Sequence, residues 1–589
     1  MATASGKAFD WKLFGRLIAQ SKPYKGRFRL ALGIVVIGAF LGPVRPELVQ
    51  TAIDDHVKNG NGYGLMWSAI LYVSFLILEA IMGFVQTWHG NYVAQSVTLD
   101  LRSKLYQHTS KFKLRYFDKT PVGQLVTRHI SDIDGIADVF SEGFLNIFGD
   151  LLKLTIILIW MFSDNWQLSL IILIPIPILI YATRLFQRAV KKSFNDVRNE
   201  VSRINTFIQE HVTGMNIIQI FNREKREQEK FNQINREHRN AHIRGIWAYS
   251  IFFPVVELLS AGSIALLLWW GLRSGIGGQI TEGVLMKYCL FIFALYRPIR
   301  QMADNFNTLQ MGVVNAERVF KLFDTDEKQL DTGTTEAKHL RGDVQLKNVW
   351  FSYSDAKPDD EEAQWVLRDV NLEVKAGEMV AFVGATGAGK TSIVNLLSRF
   401  YDFQKGEIKI DGRDIREYTL ESLRRNVGVV LQDVFLFSDT VHNNITLGNG
   451  HIKREAVIAA SERVGTHDFI SRLPGGYDYN VRERGGMLSV GQRQLLAFLR
   501  AYVHNPSILI LDEATSSVDT ESEELIQHAS AKLTEGRTSI AIAHRLSTIQ
   551  RANKIVVLEK GKIIQVGSHH QLLEQEGQYR KLFELQFQE

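Results

Sequence analysis

One stretch of the sequence carries residues that could hold a chain of phosphates. Residues 384–391 fit the pattern G-x-x-x-x-G-K-[ST] at every fixed position. Glycines let backbone N–H groups close around phosphate oxygens where a Cβ would clash. Lys390 can reach the β- and γ-phosphates, and the Thr391 hydroxyl can hold Mg²⁺. The predicted nucleotide-binding residues here are Gly384, Ala385, Thr386, Gly387, Ala388, Gly389, Lys390, Thr391 and the following Ser392.

The flanking residues predict the elements that must position this loop. Residues 379–383 are a short apolar run, typical of a buried strand. Residues 392–400 predict a helix whose N-terminus would face the phosphates. Because strand, loop and helix occur in this order, the pattern favours a phosphate-binding loop over a glycine-rich turn with a chance lysine.

Two further apolar runs end in groups that such a loop needs. Residues 508–513 end in Asp512 and Glu513. Asp512 can hold Mg²⁺ through the water shell of the metal, and Glu513 can orient or deprotonate the attacking water. Residues 539–544 end in His544, a candidate sensor of the γ-phosphate. The alternatives are a solvated helix start for the carboxylates and a structural role for the histidine.

Composition divides the chain into two unlike parts. Its 589 residues include 68 Lys and Arg and 63 Asp and Glu, so the net charge is only +5. That excess gives no indication of nucleic acid, and no nucleic-acid partner is predicted. Long apolar stretches extend to about Asp324, after which the sequence is typical of a soluble domain. The single cysteine, Cys289, excludes an internal disulfide.

The apolar stretches predict six membrane-spanning helices. A bilayer core is about 30 Å thick, so each helix needs about 20 apolar residues. Short connections almost free of Lys and Arg alternate with long basic ones, which places the basic connections and both termini in the cytoplasm. We therefore expect a multi-pass protein of the inner or plasma membrane. The predicted spans are residues 28–53, 65–95, 138–163, 166–186, 247–272 and 282–310.

Some charges lie deep within these spans, where one charge costs about 2.5–3.5 kcal/mol. Asp150 can pair with Lys153, three residues further along the helix. Glu79 and Glu257 are predicted to face an aqueous or protein-lined cavity, or else to bond a neighbouring helix as protonated carboxyls. Arg45 and Glu47 lie near the outer end of the first span, where the cost is small.

Four segments follow along the chain. Residues 1–27 predict an amphipathic segment at the inner interface, with a soluble helix packed on the cytoplasmic loops as the alternative. Residues 28–324 form the six-span domain, and residues 325–342 are a polar, aperiodic linker. From residue 343 to residue 589, strand and helix signals alternate, which predicts an α/β domain.

Residues 488–492 are a motif that phosphate-loop proteins in general lack. Leu488, Ser489, Val490, Gly491 and Gln492 resemble the LSGGQ signature of ATP-binding-cassette (ABC) proteins. With six spans before one such domain, nearly the whole chain resembles a half-transporter of the ABC exporter type. The resemblance implies an α-helical membrane domain of six transmembrane helices followed by an α/β P-loop NTPase ABC domain.

The resemblance also implies roles for single residues. Tyr353 would stack on adenine, and Gln432 would sense Mg²⁺ in the Q-loop. Asp519 would lie in the D-loop, and His544 would be the switch histidine. Together with Glu513, Gln432 and His544 would form the catalytic set, with ATP and Mg²⁺ as cofactors. Members of the family bind two ATP molecules, each between the phosphate loop of one subunit and the signature of the other.

Two segments resemble coupling regions, and three features depart from the family pattern. Residues 117–125 and 210–224 resemble the first and second coupling regions. Val490 stands where the signature has glycine, and Arg482 where the preceding loop commonly has one. An acidic insert occupies residues 355–362. In this family, altered signatures often accompany heterodimers with one weak site, whereas the other motifs of this chain are intact, so homodimer and heterodimer both stay open.

The sequence therefore predicts an ATP-hydrolysing exporter subunit that works as a dimer by alternating access. Its expected partners are a second half-transporter subunit, membrane lipid and a small amphipathic substrate. One alternative is an ATP-gated channel or regulator that does not pump. Another is an exporter joined to a peptidase, which would need an N-terminal Cys/His protease domain, and the residues before Phe28 leave no room for one.

Overall fold

The first half of the chain, which carries the long apolar stretches, is almost wholly helical. In the second half, short strands alternate with helices. The computed structural model describes residues 11–275, 280–354, 364–512, 520–543 and 545–587. The chain forms two compact units. The helical unit comprises residues 1–110 and 122–326, and the α/β unit comprises residues 111–121 and 327–589.

Six long helical stretches, several with short breaks, make up the helical unit. π-helical turns at Ala52–Val57 and Val139–Gly143 extend two of the helices. The helices up to residue 323 are α1 (Trp11–Ala19), α2 (Lys25–Leu41), α3 (Val44–Thr51), α4 (Gly62–Thr109), α5 (Leu114–Lys119), α6 (Val122–His129), α7 (Ser131–Asp138), α8 (Phe144–Asp164), α9 (Trp166–Leu173), α10 (Ile176–Thr213), α11 (Met215–Ile220), α12 (Glu224–Gly275) and α13 (Glu282–Phe323).

Five stretches among the described residues are long and apolar enough to cross a membrane. They contain the first five predicted spans. The sixth predicted span lies in α13, which is 42 residues long but carries Lys287 and Arg297 within its apolar run. These charges explain why α13 is less apolar than the other five. The five stretches are Lys22–Val57, Gly62–Thr109, Val122–Asp164, Trp166–Thr213 and Glu224–Arg273.

Several charged side chains of the helical unit are paired between helices. Lys287 of α13 is fully buried, and its Nζ lies 2.8 Å from Asp164 and 3.2 Å from Glu47. Arg45 Nε lies 3.3 Å from a Glu79 carboxylate oxygen. Loss of one partner from a buried pair leaves an uncompensated charge. Interhelical pairing, and not depth alone, therefore accommodates these charges.

Asp150 and Lys153 interact electrostatically, but no ion pair within 4 Å links them. Among the described residues, Lys153 lies in no ion pair within 4 Å, and Asp150 instead accepts a hydrogen bond from the Asn305 side chain at 3.5 Å. The i,i+3 spacing permits a pair but does not compel one when another helix offers a donor. Glu257 is exposed on α12.

Helix α1 packs against the end of α13. Arg16 makes two hydrogen bonds of 2.7 Å to Asp324, and its guanidinium lies 4.3 Å from the centre of the Phe320 ring. The same guanidinium lowers the pKa of the Asp324 carboxyl. Leu17 is fully buried, whereas Trp11 is 74% exposed. A packed helix, the alternative expectation for this segment, accounts for the buried face of α1, and the exposed Trp11 leaves an apolar face for an interface.

Two sheets form the core of the α/β unit. A four-stranded antiparallel sheet has the order β2-β1-β4-β5, and a six-stranded sheet has the order β10-β9-β3-β8-β7-β6, parallel except for β10. The strands are β1 (Val344–Phe351), β2 (Leu367–Val374), β3 (Met379–Val383), β4 (Lys405–Ile410), β5 (Arg413–Asp414), β6 (Val427–Val430), β7 (Ile508–Asp512), β8 (Thr538–Ile542), β9 (Lys554–Glu559) and β10 (Lys562–Gly567).

Helices cover the larger sheet, whose central strands β3, β7 and β8 are buried along almost their whole length. Burial on both faces is typical of parallel strands and requires their continuous apolar runs. The helices of this unit after α13 are α14 (Lys390–Leu397), α15 (Leu420–Asn426), α16 (Val441–Thr446), α17 (Arg454–Val464), α18 (His467–Arg472), α19 (Val490–His504), α20 (Thr520–Thr534), α21 (Leu546–Arg551), α22 (His569–Glu574) and α23 (Gln578–Phe587).

The α/β unit includes a segment from early in the chain, residues 111–121. The Lys113 N–H donates to the Glu327 carbonyl at 2.8 Å, and the Tyr401 hydroxyl donates to the Asp118 carboxylate of α5. Residues 117–121, part of the predicted first coupling region, thus belong to the α/β unit, and residues 122–125 belong to the helical unit.

The predicted linker forms neither a helix nor a long strand. Residues 327–342 belong to the α/β unit, and Asp331 accepts a hydrogen bond from the Leu420 N–H at 3.1 Å. Thr335 forms an isolated β-bridge with Tyr418. Most of the polar, aperiodic segment is therefore held against the α/β unit by hydrogen bonds.

Candidate nucleotide-binding site

The predicted phosphate-binding loop runs from the end of β3 to the start of α14. Gly384 and Gly389 have φ angles of +156° and +106°. A Cβ at Gly384 would lie 2.3 Å from the Leu558 carbonyl oxygen, and one at Gly389 would lie 2.7 Å from Leu367 Cδ2. Both positions therefore require glycine. Residues 385–387 are exposed, so the outer wall of the loop is open to a ligand.

Lys390, the first residue of α14, is only 8% exposed. Its Nζ donates to the carbonyl oxygens of Gly384 at 2.6 Å and Ala385 at 3.1 Å. Burial lowers the pKa of the Lys390 ammonium, and the nearby charge of Asp512 opposes that effect. The loop thus holds a cation against its inner wall beside a helix N-terminus, an arrangement that fits the phosphates of a nucleotide.

The other predicted residues gather at one edge of the sheet. Strands β3, β8, β7 and β6 are parallel neighbours, so their carboxyl ends meet at the same edge, where ligands bind in open α/β sheets. Asp512 is the last residue of β7 and pairs in register with Ile542 of β8. Gln432 follows β6 by two residues and is exposed. The structure brings Asp512 and Gln432 to the edge from which the loop departs.

Three predicted residues, Glu513, Asp519 and His544, lie outside the described residues. Glu513 directly follows Asp512 in the chain, and His544 comes two residues after β8. Their roles stay predictions.

Oxygen donors suited to Mg²⁺ stand around the loop. Thr391 is exposed in the first turn of α14, next to the buried Lys390. The hydroxyl of Thr391, the carboxylate of Asp512 and the amide of Gln432 are hard oxygen ligands of the kind that Mg²⁺ takes together with substrate phosphates. Among the described residues there is no cluster of three His, Cys, Asp or Glu side chains that could hold a metal alone. These donors therefore fit an ion that arrives with a nucleotide.

Tyr353 is tied to the first turns of α14. Its hydroxyl lies 3.1 Å from Ser392 Oγ and accepts a hydrogen bond from the Asn395 amide at 3.0 Å. The ring makes edge-to-face contacts with Phe351 and Tyr401, at centroid distances of 4.7 Å and 4.9 Å. Nothing in the sequence indicated these bonds, which fix the orientation of the ring; its stacking on adenine stays a prediction.

We expect Tyr353→Ala to raise the apparent KM for ATP about 5- to 150-fold, because base–aromatic stacking contributes about 1–3 kcal/mol. Tyr353→Phe should have a much smaller effect, since it keeps the ring and loses only the bonds to α14. The measurement is ATP hydrolysis against ATP concentration. An unchanged KM in Tyr353→Ala would leave Tyr353 as a packing residue of the strand end.

The signature motif forms the start of α19. The Ser489 hydroxyl accepts from the Gln492 N–H at 3.2 Å, and the Gln492 side chain accepts from the Ser489 N–H at 3.0 Å. This capping box satisfies two backbone amides, those of Ser489 and Gln492, at the start of a 15-residue helix. Leu488 and Gly491 are buried, whereas the Val490 side chain is 45% exposed. Val490 is therefore compatible with the cap and changes only the exposed face of the signature.

The loop before the signature is strained at Arg482. Its backbone has φ +61° and ψ −170°, a conformation that is essentially restricted to glycine and that costs of order 1–3 kcal/mol. The backbone of Arg484, two residues on, has φ +51° and ψ 23°, the milder left-handed helical conformation. The departure from the family's common glycine thus has a conformational cost at Arg482.

Arg482→Gly should stabilise the α/β unit by about 0.5–2 kcal/mol, because the relief of strain exceeds the entropy that glycine loses on folding. The expected result is a rise in the apparent Tm of the full-length protein, followed by tryptophan fluorescence. Arg484→Gly is the matched control and should give a smaller rise. A lower Tm for Arg482→Gly than for Arg484→Gly would contradict the prediction.

A phosphate-binding loop, a capped signature helix and a set of apolar membrane helices together define a membrane protein with an ATP-binding cassette. Residues 28–299 match the family described as ABC transporter transmembrane region, and residues 367–516 match the family described as ABC transporter.

Known proteins resemble almost the whole chain. The ATP-dependent lipid A-core flippase of Syntrophus aciditrophicus is 35% identical, over 98% of this chain and 95% of its own length. The ABC transporter ATP-binding protein YknV of Bacillus subtilis is 35% identical, over 99% and 96%. A bacterial Atm1-family ABC exporter solved with ATP bound is 28% identical, with a TM-score of 0.77 over 96% of this chain and 99% of that one.

The chain belongs to the ABC transporters, as a half-transporter of the exporter type. It is a multi-pass membrane protein that binds ATP, and its ATPase is coupled to transport. The resemblance inferred from the signature motif and the fold class predicted with it are confirmed.

Proposed function

We propose that this chain is one of two subunits of an exporter that moves an amphipathic or lipophilic molecule by alternating access. The observation that carries the proposal is the meeting of Lys390 and Asp512 at one sheet edge, in a chain that also carries apolar membrane-length helices. The flippase name of one relative supports a lipid-like substrate. Residues 28–324 would form the transport domain and residues 343–589 the ATPase, with the termini, the linker 325–342 and the segment 1–27 on the cytoplasmic side.

Hydrolysis would be performed by residues at the carboxyl edge of the larger sheet. Lys390 and the loop N–H groups would hold the phosphates, and Thr391, Asp512 and Gln432 are the residues that would hold Mg²⁺ together with the nucleotide. Bound Mg²⁺ supplies charge neutralisation on the phosphates. Glu513 accepts the proton of the attacking water. His544 would sense the γ-phosphate, and Asp519 would belong to the D-loop, as the family resemblance implies.

Dimerisation would complete each ATP site. The exposed Ser489, at the N-terminus of α19, presents a hydroxyl and backbone N–H groups on the surface of the α/β unit. In a dimer this surface would face the γ-phosphate held by the other subunit's loop. Closure of the two ATPase domains would then be passed to the membrane helices by the predicted coupling regions. The second of these contains α11, with Ile217 54% exposed and Ile220 70% exposed.

The effect of Val490→Gly on ATP turnover distinguishes a homodimer from a heterodimer. If this chain pairs with itself, both sites contain Val490, and Val490→Gly should change ATP turnover at both sites equally. If the partner is a different half-transporter, Val490 faces the partner's loop, and Val490→Gly should leave turnover almost unchanged. The measurement is ATPase activity of the chain purified alone and with a co-expressed half-transporter. Cooperative activity from the chain alone, as a two-fold dimer, would exclude the need for a second gene product.

Transport itself separates an exporter from an ATP-gated channel or regulator. Inverted membrane vesicles should take up a fluorescent amphiphile when ATP is added, and uptake should stop with a non-hydrolysable ATP analogue. A channel opened by ATP binding would pass its ligand with the analogue as well. ATP binding without any ATP-dependent uptake, across a panel of amphiphiles, would overturn the proposal.

A further inference from the structure

A cavity of about 250 Å³ lies among helices α2, α4 and α8 of the helical unit. Glu79, Asp150 and Lys153 line it. Ionisable residues in membrane spans are costly and are usually functional. Glu79 lines this cavity as its depth in the span predicted.

Each wall of the cavity contributes a glycine: Gly38 from α2, Gly83 from α4 and Gly149 from α8. A Cβ at Gly149 would lie 2.9 Å from Val35, so this glycine allows close helix packing. A Cβ at Gly83 would meet nothing within 4 Å, and one at Gly38 would meet only the end of Met82 at 3.8 Å. Gly83 is therefore not required for packing, and its missing side chain leaves the cavity open.

The charges on the two sides of the cavity differ. On one side, Glu79 is already neutralised by Arg45 at 3.3 Å. On the other, no ion pair within 4 Å links Asp150 and Lys153 of α8. Asp150 accepts a long bond of 3.5 Å from Asn305 and lies within electrostatic range of Lys153 and of Arg297 on α13. Residues three apart on a helix have Cβ atoms about 5–6 Å apart. The α8 wall thus presents a carboxylate and an ammonium side by side.

We propose that this cavity binds the zwitterionic headgroup of an amphiphile, with the ligand's amine at Asp150 and its phosphate at Lys153. The two opposite charges match a headgroup in which an amine and a phosphate are joined by a short linker. This inference rests on the proposed function and names the substrate class of the same transport domain.

The surroundings of the cavity fit an amphiphile better than a free headgroup. Ile37 and Phe40 of α2 are 55% and 59% exposed, and Ile81 and Phe84 of α4 are 55% and 67% exposed. Each of these side chains is next in sequence to a residue that lines the cavity, and together they offer apolar surface to acyl chains. The cavity volume suits a headgroup, so the chains would lie outside it.

The test uses the full-length protein in a non-ionic detergent and three probes. These are lysophosphatidylethanolamine, lysophosphatidylglycerol with the same acyl chain, and free phosphoethanolamine. The wild type should bind the zwitterionic lysolipid at least 10-fold more tightly than the anionic one. It should bind free phosphoethanolamine at least 10-fold more weakly than lysophosphatidylethanolamine. Equal affinity for the two lysolipids would overturn the inference, and tight binding of free phosphoethanolamine would show that the ligand is a soluble headgroup.

Single substitutions test which residues contact the amine and the phosphate of the ligand. Asp150→Asn should abolish the preference for the zwitterion while binding of the anionic lysolipid is kept. Lys153→Met should weaken binding of both lysolipids about 10-fold or more, and Gly83→Phe should block both by filling the cavity. Lys192→Met, an exposed position on α10, is the control and should change neither affinity. A wild-type preference that persists in Asp150→Asn, or binding that survives Gly83→Phe, would refute the site.

Basal ATPase activity within about twofold of wild type shows that each variant is folded. Two outcomes separate this inference from the proposed function. ATP-dependent transport of anionic amphiphiles alone would overturn the zwitterion site and leave the exporter proposal standing. Selective binding of the zwitterion without ATP-dependent transport of any amphiphile would support the zwitterion site and overturn the exporter proposal.

Discussion

Glu513→Gln should lower ATP turnover by about 10²-fold or more while ATP binding is retained. The substitution removes the proposed general base but keeps the shape of the side chain, and a positioned base contributes about 10²–10⁴-fold to such reactions. Because ATP would still close the two ATPase domains without being consumed, the variant should accumulate as a closed, ATP-bound dimer. Phosphate release and ATP retention after gel filtration measure the two effects.

A matched control is Glu535→Gln, the same chemical change at a 72% exposed side chain near the end of the following helix. It should hydrolyse ATP at the wild-type rate. Turnover within a few-fold of wild type in Glu513→Gln would remove Glu513 from the catalytic set. The proton would then have to leave the water through another group.

Lys390→Ala should lower the affinity for ATP itself by about 10- to 150-fold, since a hydrogen bond to a charged group contributes about 1.5–3 kcal/mol. The structure adds a second effect. The Lys390 ammonium joins the carbonyls of Gly384 and Ala385, so its loss also loosens the loop. Both effects weaken binding, whereas Glu513→Gln spares it.

Titration with a fluorescent ATP analogue measures that affinity, and Lys532→Ala, at an exposed position of α20, serves as the control. Whether Lys390→Ala impairs ATP binding or only ATP hydrolysis shows which step depends on Lys390. If Lys390→Ala bound ATP as tightly as wild type and failed only in hydrolysis, the loop would not be the main phosphate holder.

The nucleotide site could be predicted from the sequence because its determinants are local. A glycine pattern with one lysine fixes the loop, and an apolar run that ends in Asp512 marks a buried strand and the edge at which it stops. Parallel strands bring their carboxyl ends to one edge of a sheet, which is why Asp512 lies near the loop. Gln432 followed only from the family resemblance. Two glycines that the pattern fixes, Gly384 and Gly389, indeed have positive φ angles.

The charge pairs of the helical unit could not be predicted in the same way. Lys287 and Glu47 are separated by 240 residues, and no local pattern links them. Asp150 shows that local spacing can also mislead. Lys153, at the right spacing, suggested a close ion pair, but no ion pair within 4 Å forms and Asp150 accepts a hydrogen bond from Asn305 instead. The packing of Arg16 against Asp324 was open for the same reason. Tertiary neighbours decide which of several possible partners a charge takes.

The strain at Arg482 was visible only as a departure from a family pattern. A sequence shows that a glycine is replaced, but only the backbone angles show whether the replacement matters. At Val490 the same kind of departure has no conformational cost, since the capping box forms normally. Two replaced glycines thus have different consequences.

The early segment of the α/β unit, residues 111–121, is synthesised long before the rest of that unit. Asp118 and its partner Tyr401 are 283 residues apart, and the ribosome adds about 5–20 residues per second, so α5 waits roughly 15–60 s for its partner. The membrane helices that follow α5 are made in that interval. The α/β unit is therefore completed, with its segment 111–121 included, only after the membrane helices between α5 and residue 327 have been made.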